Sequence, residues 1–197
     1  MTRLLPAVLL AVVLAVPPAI AATEQGGDRE ILTQRVIAEL SLDDLFQKLP
    51  QNADSPAGER IEQEILRRFS RSGSATADLL MTWAGEAIDE SDYTLALDLL
   101  DQIIVIKPDF AEAWNKRATV YYMIDDYGAS LADIRQTLAL EPRHFGALAG
   151  FGLILQAIDR KSEAIRVLKR ALEINPRLDN VRETLEKLEK ETAGEDI

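Results

Sequence analysis

Pro108, Pro142 and Pro176 stand 34 residues apart, and each follows by two places an apolar residue: Ile106, Leu140 and Ile174. The same interval relates Ala96, Ser130 and Ala164; Leu97, Leu131 and Ile165; Leu100, Ile134 and Leu168; and Ile104, Leu138 and Leu172. A fixed long period of this kind is the signature of stacked supersecondary units, because each unit buries its apolar face only against its neighbours.

Within each period the apolar residues recur at helical spacing in two runs separated by a turn. In the middle unit, residues 111–123 form one run, Asp125 and Asp126 mark the turn, and residues 127–140 form the second. Each unit is therefore expected to be a helical hairpin. Proline has no N–H to continue the second helix, so it starts the connection to the next unit. Ala96, Ser130 and Ala164 are small because helices whose axes pass at about 8–10 Å leave little room at their closest contact.

The middle unit resembles a tetratricopeptide repeat (TPR): Trp114, Ala118 and Tyr121 on the first helix, Ser130 and Ile134 on the second, and Pro142 at the end. Residues 145–178 also match, through Leu148, Phe151, Gly152, Leu155, Ala164, Leu168 and Pro176. Residues 77–110 match more loosely, through Leu80, Trp83, Ala84, Ala87, Ala96, Leu100 and Pro108. The resemblance implies an all-α fold, a right-handed superhelical array of three hairpins at 77–110, 111–144 and 145–178. Arg117 departs from it, standing where the family carries a buried Leu. It is expected to reach solvent or pair with an acid such as Asp133; the other reading turns its guanidinium into the ligand groove.

Flanking segments complete the layout. Residues 179–197 read as a capping helix and a fraying tail, with Val181, Leu185 and Leu188 on one face. Glu183 with Lys187 and Glu186 with Lys190 have the favourable four-residue spacing. Residues 23–76 read as a linker and a degenerate helical hairpin, in which residues 42–69 are expected to cap the first repeat and residues 70–74 to form the joint.

Residues 1–22 read as a secretory signal. Arg3 supplies the positive start, residues 7–16 are an unbroken apolar run, and residues 17–22 offer small residues for cleavage after Ala21 or Ala22. An uncleaved anchor is the competing reading, but residues 4–22 barely reach the roughly 20 needed for a span and contain Pro6, Pro17 and Pro18. The mature protein is expected in the periplasm or secreted, without stable membrane insertion. With 33 acidic residues against 22 basic ones, a formal charge of −11 argues against nucleic-acid binding and docking on anionic lipid. Absence of cysteine excludes disulfides, thiolate metal sites, a cysteine nucleophile and lipid-modified cysteine.

Little in the sequence points to reaction chemistry. His144 is the single histidine and is read as an exposed linker residue, so neither a metal nor another cofactor is expected. Asp43 and Asp44 look like a helix start, and Asp125 and Asp126 like a turn. Gly146, Gly150 and Gly152 are read as close helix contacts. The family resemblance implies a concave groove for a protein or peptide, lined by Met81, Gly85, Ile88, Asn115, Thr119, Tyr122, Ala149, Leu153 and Gln156. Several of these could instead be buried by the neighbouring repeat or the amino-terminal helices. Some family members clamp acidic tails with Lys and Asn; the matching first-repeat places here hold Met81 and Gly85. The expected function is thus a non-catalytic scaffold that takes an apolar or basic segment. The alternatives are a self-associating structural protein and, third, a hydrolase using a Glu/Asp pair.

Overall fold

A computed structural model describes residues 35–195. The chain divides into two units, Met1–Glu39 and Leu40–Ile197; of the first, residues 35–39 are helical. The proposed signal segment lies outside the described residues.

Capping residues set where the helices of the second unit begin. Ser41 accepts from Asp44 N while Asp44 reaches back to the Ser41 N–H, a capping box that starts α1, Leu42–Lys48. A short 3₁₀ turn, Pro50–Asn52, leads to Ser55, which caps α2, Pro56–Phe69. Ser74 caps α3, Ala75–Asp89. Asp92 caps α4, Tyr93–Ile106. The next pair is α5, Ala111–Met123, and α6, Tyr127–Leu140, the latter capped by Asp126. Then follow α7, Phe145–Ala157, α8, Lys161–Ile174, and α9, Asp179–Glu195. Among the described residues there is no strand. The fold is all-α, built from the expected helical hairpins.

The 34-residue period reappears in backbone geometry. Ser91, Asp125 and Asp159 sit at the turn inside each hairpin with φ of 61°, 59° and 60°. Each is followed by a residue whose N–H returns five places, from Asp92 to Ala87 O, Asp126 to Tyr121 O and Arg160 to Leu155 O. That is the Schellman ending, which closes the first helix and reverses the chain.

Packing follows the expected pattern. Ala96, Ser130 and Ala164 are buried at the helix crossings, and Ser130 Oγ donates to Ala118 O at 2.7 Å. A Cβ on Gly152 would lie 2.3 Å from Leu168 Cδ2, so α7 and α8 meet through that glycine. Arg117 pairs as expected with Asp133, through Nε and Nη2 at 2.7 Å each, and also reaches Asp101 of the preceding repeat at 2.5 Å. These carboxylates hold the guanidinium pKa above its ordinary range. On α9, Val181, Leu185 and Leu188 are buried. On the cap, Lys187 lies 4.0 Å from Glu191 at four-residue spacing, and Glu189 and Glu191 reach Lys169 and Lys161 on α8.

Two expectations are corrected. The α1–α2 hairpin does not simply cap the first repeat; its side chains bind the connections that follow the second and third repeats. Asp43 accepts from Arg143 at 2.7 Å, and the Arg143 guanidinium lies 4.3 Å from the Phe46 ring centroid. Glu62 accepts from Asn175 at 2.6 Å and from Arg177 at 2.9 Å, while Arg177 also donates to Ala53 O. The second correction is His144, which is buried rather than exposed. Its ring stacks on Phe69 at 4.6 Å with planes 9° apart. Nδ1 accepts from Ala147 N, capping α7, so the proton resides on Nε2 and is donated to Glu112 at 2.9 Å. The histidine thus ties α2, α5 and α7 together.

Candidate functional site

Helices α5 and α7 run side by side as the first helices of consecutive repeats, with α6 behind them. Between the three lies an apolar cavity of about 310 Å³. Ala118, Ile134 and Ile154, a buried cluster, form its floor. Its walls are Asn115, Thr119, Tyr122 and Met123 from α5 and Gly146, Ala149, Gly150 and Leu153 from α7. The opening exists because three of these α7 residues carry a methyl or no side chain at all.

Polar groups stand at the rim. Asn115 Nδ2 donates to Glu112 at 3.1 Å, and Thr119 Oγ1 donates to Asn115 O at 3.0 Å. The Tyr122 ring packs against Tyr127 at 5.8 Å. Glu112, which serves both Asn115 and His144, links the rim to the docked α1–α2 hairpin. An apolar floor with a few fixed amide and hydroxyl groups suits an apolar side chain whose backbone is oriented by hydrogen bonds.

Of the residues expected in the groove, Asn115, Thr119, Tyr122, Ala149 and Leu153 come together in this cavity. Met81 and Ile88 pack, partly buried, against the core of the first repeat, and a Cβ on Gly85 would meet nothing within 4 Å. Gln156 is half-buried on α7. Sequence reasoning missed Gly146 and Gly150 as site residues. A Cβ there would meet its nearest neighbours at 3.4 and 3.8 Å, which is not the close contact expected for them. The available signal was their spacing: Gly146 lies three places before Ala149 and Gly150 three places before Leu153, on one helix face.

Two other hollows flank the array. One, of about 410 Å³, is the polar seam between the docked hairpin and the third connection, lined among others by Ser55, Glu59, Arg177 and Arg182. The other, of about 480 Å³, lies between α6 and α7 beside Leu131, Leu138, Phe151, Arg135 and Arg160. Among the described residues no group of three His, Asp or Glu is placed to hold a metal ion, and no helix is long and apolar enough to cross a membrane.

Helical hairpins stacked at a 34-residue period, with a groove along their first helices, define the class as a TPR solenoid. No family model matches the chain. It is 40% identical over 153 residues to a TPR repeat-containing protein of Rhizobium etli, covering 78% of this chain and 75% of that one. The protein therefore belongs to the TPR repeat-containing proteins. It is also 22% identical over 140 residues to the small glutamine-rich tetratricopeptide repeat-containing protein 2 of Saccharomyces cerevisiae, covering 71% of this chain but 40% of the yeast protein. Among solved structures, the first TPR of Spaghetti bound to an HSP90 peptide, SRMEEVD, superposes with a TM-score of 0.59 at 21% identity, covering 61% of this chain and 98% of that one. That likeness concerns the fold.

Proposed function

We propose that the protein is a non-catalytic scaffold of the bacterial cell envelope that holds a protein or peptide partner in the groove between α5 and α7. The observation that carries this reading is the apolar cavity of about 310 Å³ with its amide and hydroxyl rim. Peptide binding by a solved structure of the same fold supports it. The acidic ligand of that structure is not the chemistry expected here. Met81 and Gly85 stand where some relatives place a basic clamp, and the body is acidic, so an apolar or basic segment fits better.

Envelope placement rests on residues 1–22, whose charge, apolar run and small-residue end have the pattern of a cleaved signal. Mass spectrometry of protein isolated from the periplasm should give an amino terminus after Ala21 or Ala22; an intact Met1 would remove this part of the reading. For the groove, a photo-crosslinking residue at Thr119 should capture the same partner repeatedly, one at the exposed Arg166 on α8 should not, and Leu153→Glu should abolish capture. Equal capture from both positions would sink the groove assignment.

A further inference from the structure

A second surface, independent of the groove, emerges when the repeats are compared position by position. The third, seventh and tenth residues of each repeat share one face of its first helix. In the second repeat these are Ala113, Arg117 and Val120. Ala113 and Val120 are buried in the core of the repeat before, and Arg117 pairs with Asp101 of that repeat. In the third they are Ala147, Phe151 and Ile154; Ile154 is buried against Ala118 and Ile134 of the second repeat, and Phe151 packs beside it. This stripe is where a preceding helix docks.

On α3 the same stripe reads Leu79, Trp83 and Glu86. Leu79 is 49% exposed and Trp83 47%, and Glu86 is exposed as well. The hairpin expected to cover this end is anchored elsewhere, through Glu62 to Arg177 and Phe69 to His144. The array therefore presents a docking face with its apolar anchors in view, unlike the polar outer face of α9 at the other end.

Charge selects the occupant. Residues 75–110 carry eight carboxylates against the single cation Lys107, whereas residues 145–178 carry six basic residues and three acidic ones. Glu86 on α3 and Glu90, which caps its carboxyl end, continue the Leu79–Trp83 stripe. Two copies meeting through this face would oppose carboxylate to carboxylate, and the far end of another copy offers α9, which is polar outside. We infer that the leading face of α3 docks a basic amphipathic helix of a partner protein, which adds as one more layer of the solenoid. Its apolar stripe covers Leu79 and Trp83, and its Lys or Arg residues meet Glu86 and Glu90.

The test uses the whole chain carrying Trp114→Phe, which leaves Trp83 the sole tryptophan. The probe is a synthetic amphipathic helix of about 18 residues made of Leu and Lys, with a twin in which Glu replaces Lys. The Lys helix should shift Trp83 emission to the blue at saturation and bind several-fold more weakly as NaCl rises from about 50 to about 500 mM. In anisotropy titrations of labelled helix, Leu79→Ser with Trp83→Ser should weaken binding at least tenfold, while Leu153→Glu in the groove should not change it. Equal binding of the Glu twin, no binding of either helix, or dependence on Leu153 in place of Leu79 and Trp83 would overturn the inference. So would a peptide-free blue shift that grows with protein concentration, the mark of a second copy. Shielding of Trp83 from acrylamide at every concentration, the mark of the chain's own remaining residues, would also overturn it.

Discussion

Gly152 and Gly85 lie in the first helices of different repeats, and alanine should have opposite effects at the two. Both substitutions gain about 0.5–1 kcal/mol from helix propensity, because glycine loses more backbone freedom on folding. At Gly85 nothing lies within 4 Å of the new methyl, so that gain stands and the midpoint of thermal unfolding should rise by about 1–4 °C. At Gly152 the methyl would lie 2.3 Å from Leu168 Cδ2 and 2.6 Å from Cγ. Leu168 is fully buried, so relief requires α7 and α8 to part or the leucine to leave its rotamer, and overpacking of this kind costs about 1–3 kcal/mol. Gly152→Ala should thus be net destabilising by about 1–2 kcal/mol. Urea unfolding followed by circular dichroism, with unchanged slope, reads both variants. A second cycle tests the cause. Leu168→Ala should cost about 2–5 kcal/mol alone but at least 1 kcal/mol less in the Gly152→Ala background, where the methyl fills part of the hole. Equal shifts for the two glycine variants, or strict additivity of the cycle, would refute the steric reasoning.

Arg117→Leu restores the family's usual residue yet strands buried Asp133, so it should destabilise by about 3 kcal/mol in chemical unfolding, and Asp133→Leu added to it should recover most of that loss. Asp125→Gly relieves a non-glycine residue at φ 59° and should stabilise by about 0.5–1 kcal/mol in the same assay. Phe69→Ala should speed hydrogen exchange across α1 and α2 while leaving the core amides of α6 protected, since the ring fixes the hairpin through His144. Glu64 has a pKa below the ordinary value near 4.5, chiefly through its hydrogen bonds from Arg67. Its contribution is complete above that value and lost as pH falls through the lowered one; in urea unfolding across pH, Glu64→Gln should therefore lower stability at neutral pH and flatten this acid leg of the stability curve.

Much of the array was legible because local and periodic signals agree. The prolines end the second helices, Asp92 and Asp126 cap the ones they precede, and Ala96, Ser130 and Ala164 mark the crossings. Asp43 and Asp44 were correctly read as a helix start. The seat of the α1–α2 hairpin was not legible, since Asp43 meets Arg143 and Glu62 meets Arg177 across roughly a hundred residues with no periodicity to relate them. His144 is different. The period aligns it with Phe110, which is buried, and that alignment outweighs the polarity of the residue. Asn115, Thr119, Tyr122, Ala149 and Leu153 could be placed together from the sequence because they follow helical spacing on neighbouring helices. Met81 and Ile88 of the first repeat lie apart from that cavity, because they are drawn against their own repeat's core.

The groove is tested most directly by backbone amide chemical-shift mapping with a peptide selected for binding from an unbiased library. The largest perturbations should fall on Thr119, Tyr122, Gly146, Ala149, Gly150 and Leu153, and Leu153→Glu should remove both them and the affinity. Perturbations centred on α8 and α9, with undiminished binding by that variant, would contradict a ligand held between α5 and α7.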